Sequence, residues 1–318
     1  MKITKKTLLK YFFIIFIVFF LVIILNHHNV PPFDHLGKFK ASLKNSYKSL
    51  EFKNNIKCAE KINNKSITKE ETSDYSFFIA GHAYGTPSDN NLGIYEPFYL
   101  DLLNLKNTFN FGILAGDVVR DSTAESWDFF DKQIKNLDYE IYISPGNHDI
   151  GIKHNNIGLE YFKKKFGGTY FSFIRKQDLF IILDSNENHW NILNNQLNFF
   201  KKTLNDNYKN MKNIFIISHH LIYFDPYNKD FSKPVPNHLG GRSEKVNFWS
   251  TLYPLLENLN NKIFIIAGDT GLTFGKELFC HKMENFTFFA TGMGSGLNDH
   301  YLIFESINGK IKIQVKKI

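Results

Sequence analysis

Five short clusters carry the residue types that bind metals or move protons: Gly81-His82, Gly116-Asp117, Gly146-Asn147-His148-Asp149, Ser218-His219-His220 and Gly268-Asp269. Each stands directly after an apolar run, as Ile79-Ala80 precedes the first and Ile266-Ala267 the last. Carboxylates, imidazoles and an amide oxygen brought to one point could hold a divalent cation, while a further histidine serves as acid or base. In open α/β sheets the carboxyl ends of strands meet at one edge, so these clusters could form a single site.

The runs that must place them read as strands over 76–80, 111–115, 140–144, 179–184, 213–218 and 263–267. Helical periodicity marks 96–105, 125–137, 195–204 and 244–259, the last interrupted by Pro254. Asn308-Gly309 between two apolar stretches predicts a hairpin with a tight turn. This alternation gives a layered α/β domain over residues 73–318.

The chain has 318 residues and a formal charge of +7. That charge is confined to the first 72 residues, which hold 13 lysines against five acids, whereas the remainder holds 25 basic residues against 26 acidic ones. No nucleic-acid partner is expected of the folded part. Lys2, Lys5, Lys6 and Lys10 precede an uncharged run, residues 11–25, which reads as a membrane anchor. The alternative, a cleaved signal peptide, lacks small residues at a cleavage position in Asn26–Pro32. The positive-inside bias then puts residues 1–10 in the cytoplasm and everything after the span outside, with 26–72 as a linker or stalk. Cys58 and Cys280 could pair in an oxidising compartment, although their separation cannot be read from the sequence.

From Tyr75 onward the order of the clusters resembles the calcineurin-like metallophosphoesterase family, whose members carry D-x-H, G-D, G-N-H-[DE], a lone histidine after a strand and G-H-x-H. Leu114-Ala-Gly-Asp117 fits the second, Pro145-Gly-Asn-His-Asp149 the third and Ser218-His219-His220 the fourth. The outer two diverge: Gly81 and Ala83 stand for the D-x-H pair, and Asp269 and Gly271 for the two histidines of G-H-x-H. The resemblance implies a four-layer α/β/β/α sandwich. It also implies that one of the family's two metal sites is lost, while the other keeps Asp117, Asn147, His219 and Asp269 as ligands. An oxygen-rich set favours Mn²⁺, Mg²⁺ or Fe²⁺ over Zn²⁺.

By the same resemblance His148 is the general acid and Asp149 its orienting partner, in a hydrolase acting on a phosphorylated substrate. His82 and Tyr84 would stand where the missing ion would have been and help the reaction. His220 is the alternative ligand to His219 and otherwise a substrate contact. The loop 224–243 follows these histidines and could close over a substrate, with His238 and Arg242 reaching a phosphate or merely decorating the surface. His281 and His300 read as structural. The competing expectation is a binding protein of the cell envelope that keeps the fold without the activity.

Overall fold

The computed structural model describes residues 58–62, 74–86, 91–151, 156–272, 278–294, 296 and 298–318. The anchor expected over 11–25, and most of the stalk, lie outside the described residues; among those described, no helix is long and apolar enough to cross a membrane.

Twelve strands form two six-stranded sheets. One has the order β1 (Glu60–Ile62), β12 (Lys310–Lys317), β11 (His300–Ile307), β2 (Tyr75–Ala80), β3 (Phe111–Ala115) and β4 (Glu140–Ser144). The other runs β5 (Phe171–Arg175), β6 (Asp178–Ile182), β7 (Asn213–Ser218), β8 (Lys262–Ala267), β10 (Phe286–Ala290) and β9 (Phe279–Met283). Strands β2, β3 and β4 run parallel, as do β6, β7, β8 and β10, which sends the chemistry-bearing clusters to a shared edge.

The central strands are apolar on both faces because both faces are covered. In β2, Phe77 and Ile79 point between the sheets, and Phe78 and Ala80 point out toward helices. Phe77 lies stacked between Phe111 and Phe304, each 4.9 Å away, and meets Phe180 and Phe215 of the opposite sheet edge-on. Outside the first sheet pack α1 (Glu96–Asn104), α2 (Ala124–Ile134) and α4 (Asn156–Phe166), which follows the one-turn α3 (Asn147–Ile150). Outside the second lies α5 (Asn194–Asn207), with the segment 248–256 beside it. The result is the expected layering of helix, sheet, sheet and helix.

Several elements depart from the sequence-based expectation. The helix expected over 244–259 is a π turn, Phe248–Leu252, running into the four-residue α6, Tyr253–Leu256. Pro254 sits in the first turn of α6, at the change from the π turn to the α-helix. Strand β1 falls within the stretch read as a stalk and pairs with β12, so the domain begins before residue 73. Cys58 next to it is disulfide-bonded to Cys280 of β9. Asn308 and Gly309 form the predicted two-residue turn, both with positive φ, between the paired Ile307 and Lys310.

At the pole opposite the strand carboxyl ends, a buried polar cluster ties the sheets together. Asp178 accepts hydrogen bonds from Tyr75 at 2.5 Å, Asn213 at 2.6 Å and Ser306 at 3.3 Å. Burial pushes its carboxyl above the usual range although all three donors favour the charged form.

Cys58 and Cys280 close a loop of 222 residues. Replacing both by serine should therefore cost about 2–5 kcal/mol in urea unfolding, with β1 losing amide protection first. His300 is buried at the start of β11, its Nδ1–H donating to the Asn298 carbonyl at 2.5 Å. Burial, then the nearby Lys317, lowers its pKa to about 4. The unfolded chain takes up that proton near the ordinary value of about 6.5, so the stabilisation is complete above that pH and drains away toward pH 4. Between pH 7.5 and 5 the wild type should lose about 2 kcal/mol more than His300→Asn; equal slopes would show that His300 is not buried neutral.

Candidate metal centre and active site

Where β3 ends, Gly116 has φ +81° and the next residue, Asp117, also lies in the left-handed region at +54°. A side chain on Gly116 would run into the His219 ring, at 2.4 Å from Nδ1, so glycine lets the two sheets touch here. The contact is fixed by a hydrogen bond across the sheets: His219 Nδ1–H donates to the Ala115 carbonyl at 3.0 Å. That choice of tautomer leaves Nε2 as the electron-pair donor, facing the centre of the site.

Three oxygen-bearing side chains face that nitrogen. Asn147 Oδ1 lies 3.2 Å from it, Asp117 Oδ2 3.4 Å and Asp269 Oδ1 3.9 Å. Ligands bound about 2.0–2.2 Å from one ion stand about 3–3.6 Å from each other, a range that Asn147 and Asp117 meet and that Asp269 exceeds slightly. Both carboxylates are buried, and Asp269 Oδ2 has no hydrogen-bond partner. Two buried carboxylates beside one imidazole call for a cation.

The electrostatics carry the same signature. Burial alone would raise the Asp117 carboxyl, yet His219, with His148 and His82 adding, holds it far below the usual range. Against its burial, His219 is pushed up to about 10 by Asp117 and Asp269, which draw a proton, or an ion in its place, to Nε2. Burial raises Asp269 to about 7. The residues fit a divalent ion held by Asp117, Asn147, His219 and Asp269.

His220 is arranged differently. Its Nδ1 and its backbone N–H both meet Ser185 Oγ at 2.9 Å, and its ring stacks on Trp190 at 4.6 Å. His219, His220 and Asp269 also present ligand atoms within 4.8 Å of one another. Yet only His219 closes on Asp117 and Asn147, while His220 lines the neighbouring cavity.

The expected role of Asp149 as partner of His148 needs correction. Its oxygens accept from the backbone N–H groups of Gly146 (2.8 Å), Val118 (2.8 Å) and Val119 (3.1 Å), so it pins the β4 loop to the β3 loop. The His148 ring is oriented instead by the Arg120 carbonyl, 2.5 Å from Nδ1, and Tyr84 OH lies 3.3 Å from Nε2. No side-chain motif announces a backbone carbonyl, which is why sequence reasoning missed it. Tyr84 also packs on the His82 ring at 4.4 Å, and His82 Nε2 lies 3.6 Å from Asp117 Oδ2. Burial lowers His82 to about 4, so it is a neutral imidazole.

A Cβ on Gly81 would fall 2.2 Å from the Gly268 Cα and 2.4 Å from the Thr291 carbonyl oxygen, so the two backbones occupy the volume a carboxylate there would need.

Beside Asn147 opens a cavity of about 520 Å³, bordered by Asn186, His189, Trp190, His220 and His238. Asn188, His189 and Trp190 all have positive φ, at 49°, 57° and 72°. Three such residues in succession are costly, and backbone strain of this kind gathers at binding sites. The loop 224–243 is anchored to the centre, because Asn237 N donates to the Asp269 carbonyl at 3.0 Å. Arg242 does not border the cavity. Its guanidinium donates to the carbonyls of Phe224 and Glu244 and lies over the Trp190 ring, so it supports the cavity wall.

No protein-family profile matches the chain. No curated protein matches it by sequence. Solved structures do share its fold. A purple acid phosphatase from yellow lupin (Lupinus luteus) seeds superposes with a TM-score of 0.54 at 12% identity, over 79% of this chain but only 53% of its own. A dimetal phosphatase from Danio rerio gives 0.51 at 10% identity, over 76% of this chain and 95% of its own. GAP50, the anchor in the inner membrane complex of Plasmodium, gives 0.51 at 15% identity, over 76% and 84%. At such identities the likeness is one of fold alone.

Proposed function

We propose that the chain is a phosphoester hydrolase working with one divalent ion, held outside the cytoplasmic membrane by residues 11–25. The observation that carries this reading is the arrangement of Asn147, Asp117 and Asp269 at 3.2–3.9 Å around His219 Nε2. The phosphatases of like fold lend it support. The disulfide between Cys58 and Cys280 favours an oxidising compartment, in keeping with an extracytoplasmic domain.

An ion bound by these four residues, Mn²⁺, Fe²⁺, Mg²⁺ or Zn²⁺, would polarise a phosphoryl oxygen and activate a water. The protein supplies the rest. His148 presents Nε2 to the leaving oxygen, its ring held by the Arg120 carbonyl. Tyr84, whose hydroxyl burial keeps firmly protonated, lies 3.3 Å from Nε2 and holds the ring in place by a hydrogen bond, while the proton that His148 gives to the leaving oxygen is replaced from solvent. His82 supports Tyr84 from below. The cavity bordered by His189, His220 and His238 takes the leaving group or a phosphate oxygen.

A second reading, an envelope binding or anchoring protein, is favoured by the closed volume at Gly81 and by the fold shared with GAP50, described as an anchor.

Metal analysis and aryl phosphate hydrolysis with added Mn²⁺ separate the two. One ion per chain is expected, lost in Asp117→Ala and His219→Ala. His148→Ala should keep the ion and lose about 10²–10⁴ in kcat. No bound ion, or hydrolysis indifferent to all three changes, would favour the binding protein. Gly81→Asp should not add a second ion but should destabilise by about 1–3 kcal/mol or more; two ions per chain in that variant would show that the volume is open.

A further inference from the structure

At the opposite pole from the metal centre, a cavity of about 660 Å³ opens where β7 and β8 begin and the β11–β12 turn ends. Four lysines border it, Lys209, Lys212, Lys262 and Lys310, and no acidic residue does. None of the four has an ion-pair partner among the described residues. This is a local excess in a region whose basic and acidic residues otherwise nearly cancel. An adjoining cavity shares Asn260 and Lys262 and adds Lys282 and the acid Glu284, with Lys312 on its border paired to Glu305 at 3.5 Å.

The walls are held in place. Asn261 donates to the carbonyls of Tyr208 and Met211 at 2.9 and 2.6 Å, which fixes the approach to β7. Lys212 lies across the Asn308-Gly309 turn, its Nζ 3.3 Å from the Asn308 carbonyl. At the floor Asn213, fully buried, spends its amide hydrogens on Asp178 and on the Gly309 carbonyl, and its Oδ1 has no partner. Lysines around a rim attract a phosphoryl group, and the asparagine amides and backbone carbonyls between them suit a hydroxyl on the same molecule.

We propose that this cavity binds a phosphorylated alcohol, either a soluble polyol phosphate or the headgroup of an anionic phospholipid. Strand β1, whose neighbour Cys58 borders the adjoining cavity, enters the fold at this pole. The binding itself does not depend on the hydrolase reading.

The test uses the full chain in neutral detergent, or in nanodiscs, with inositol trisphosphate as the soluble probe. Thermal stability and equilibrium binding are compared for wild type, Lys212→Gln/Lys262→Gln and Asp117→Ala. Binding is expected in wild type and in Asp117→Ala, with affinity lowered at least tenfold in the lysine variant at unchanged circular dichroism. Nanodiscs of phosphatidylglycerol, compared with phosphatidylcholine, should protect the lysine-pole amides if the source is lipid; protection by the soluble probe alone assigns a free metabolite. Loss of binding in Asp117→Ala with none in the lysine variant would move the anion to the metal centre and overturn the proposal, as would no binding to either source.

Discussion

The hydrogen bond from His219 to the Ala115 carbonyl is the contact on which the site depends. It joins the end of a strand in one sheet to the end of a strand in the other, and it decides which imidazole nitrogen is left to bind. Without the close approach at Gly116 the ring could not reach that carbonyl, and Asp117 and Asp269 would belong to two separate sheet edges. The aromatic interior formed by Phe77, Phe111, Phe180, Phe215 and Phe304 sets the distance between the sheets over which this contact is made. Fold and chemistry are thus coupled through the sandwich interior: a change in ring volume there shifts one half of the ligand set against the other.

Much of this was legible in the chain. Strands covered on both faces show as unbroken apolar runs, so β3 and β7 fall where the sequence places them, and Asn308-Gly309 marks its hairpin through the backbone conformation such a turn demands. Less visible were β5 and β9, whose exposed edge positions dilute the pattern, and β1, a three-residue strand. The expected helix over 244–259 failed because the apolar spacing there serves packing of a π turn against the second sheet.

At the site, residue types and order were enough to nominate Asp117, Asn147, His148, His219 and Asp269, because strand topology brings them together. What could not be read was the role of backbone. The carbonyls of Ala115 and Arg120 orient the two key imidazoles, and the amides of Val118 and Val119 claim Asp149. The volume lost at Gly81 is also a backbone property, since a glycine in a sequence does not say whether the room beside it is empty or taken.

The way the chain enters the domain has a mechanical consequence. Beyond Cys58 it is tied to β9 of one sheet by a covalent bond and to β12 of the other by parallel strand pairing through β1. A pull arriving from the N-terminal side would therefore divide between the two sheets at their outer edges. The strands that end at the candidate metal centre, β3, β7 and β8, carry neither attachment. Tension from a tether would be borne by the frame and spare the chemistry.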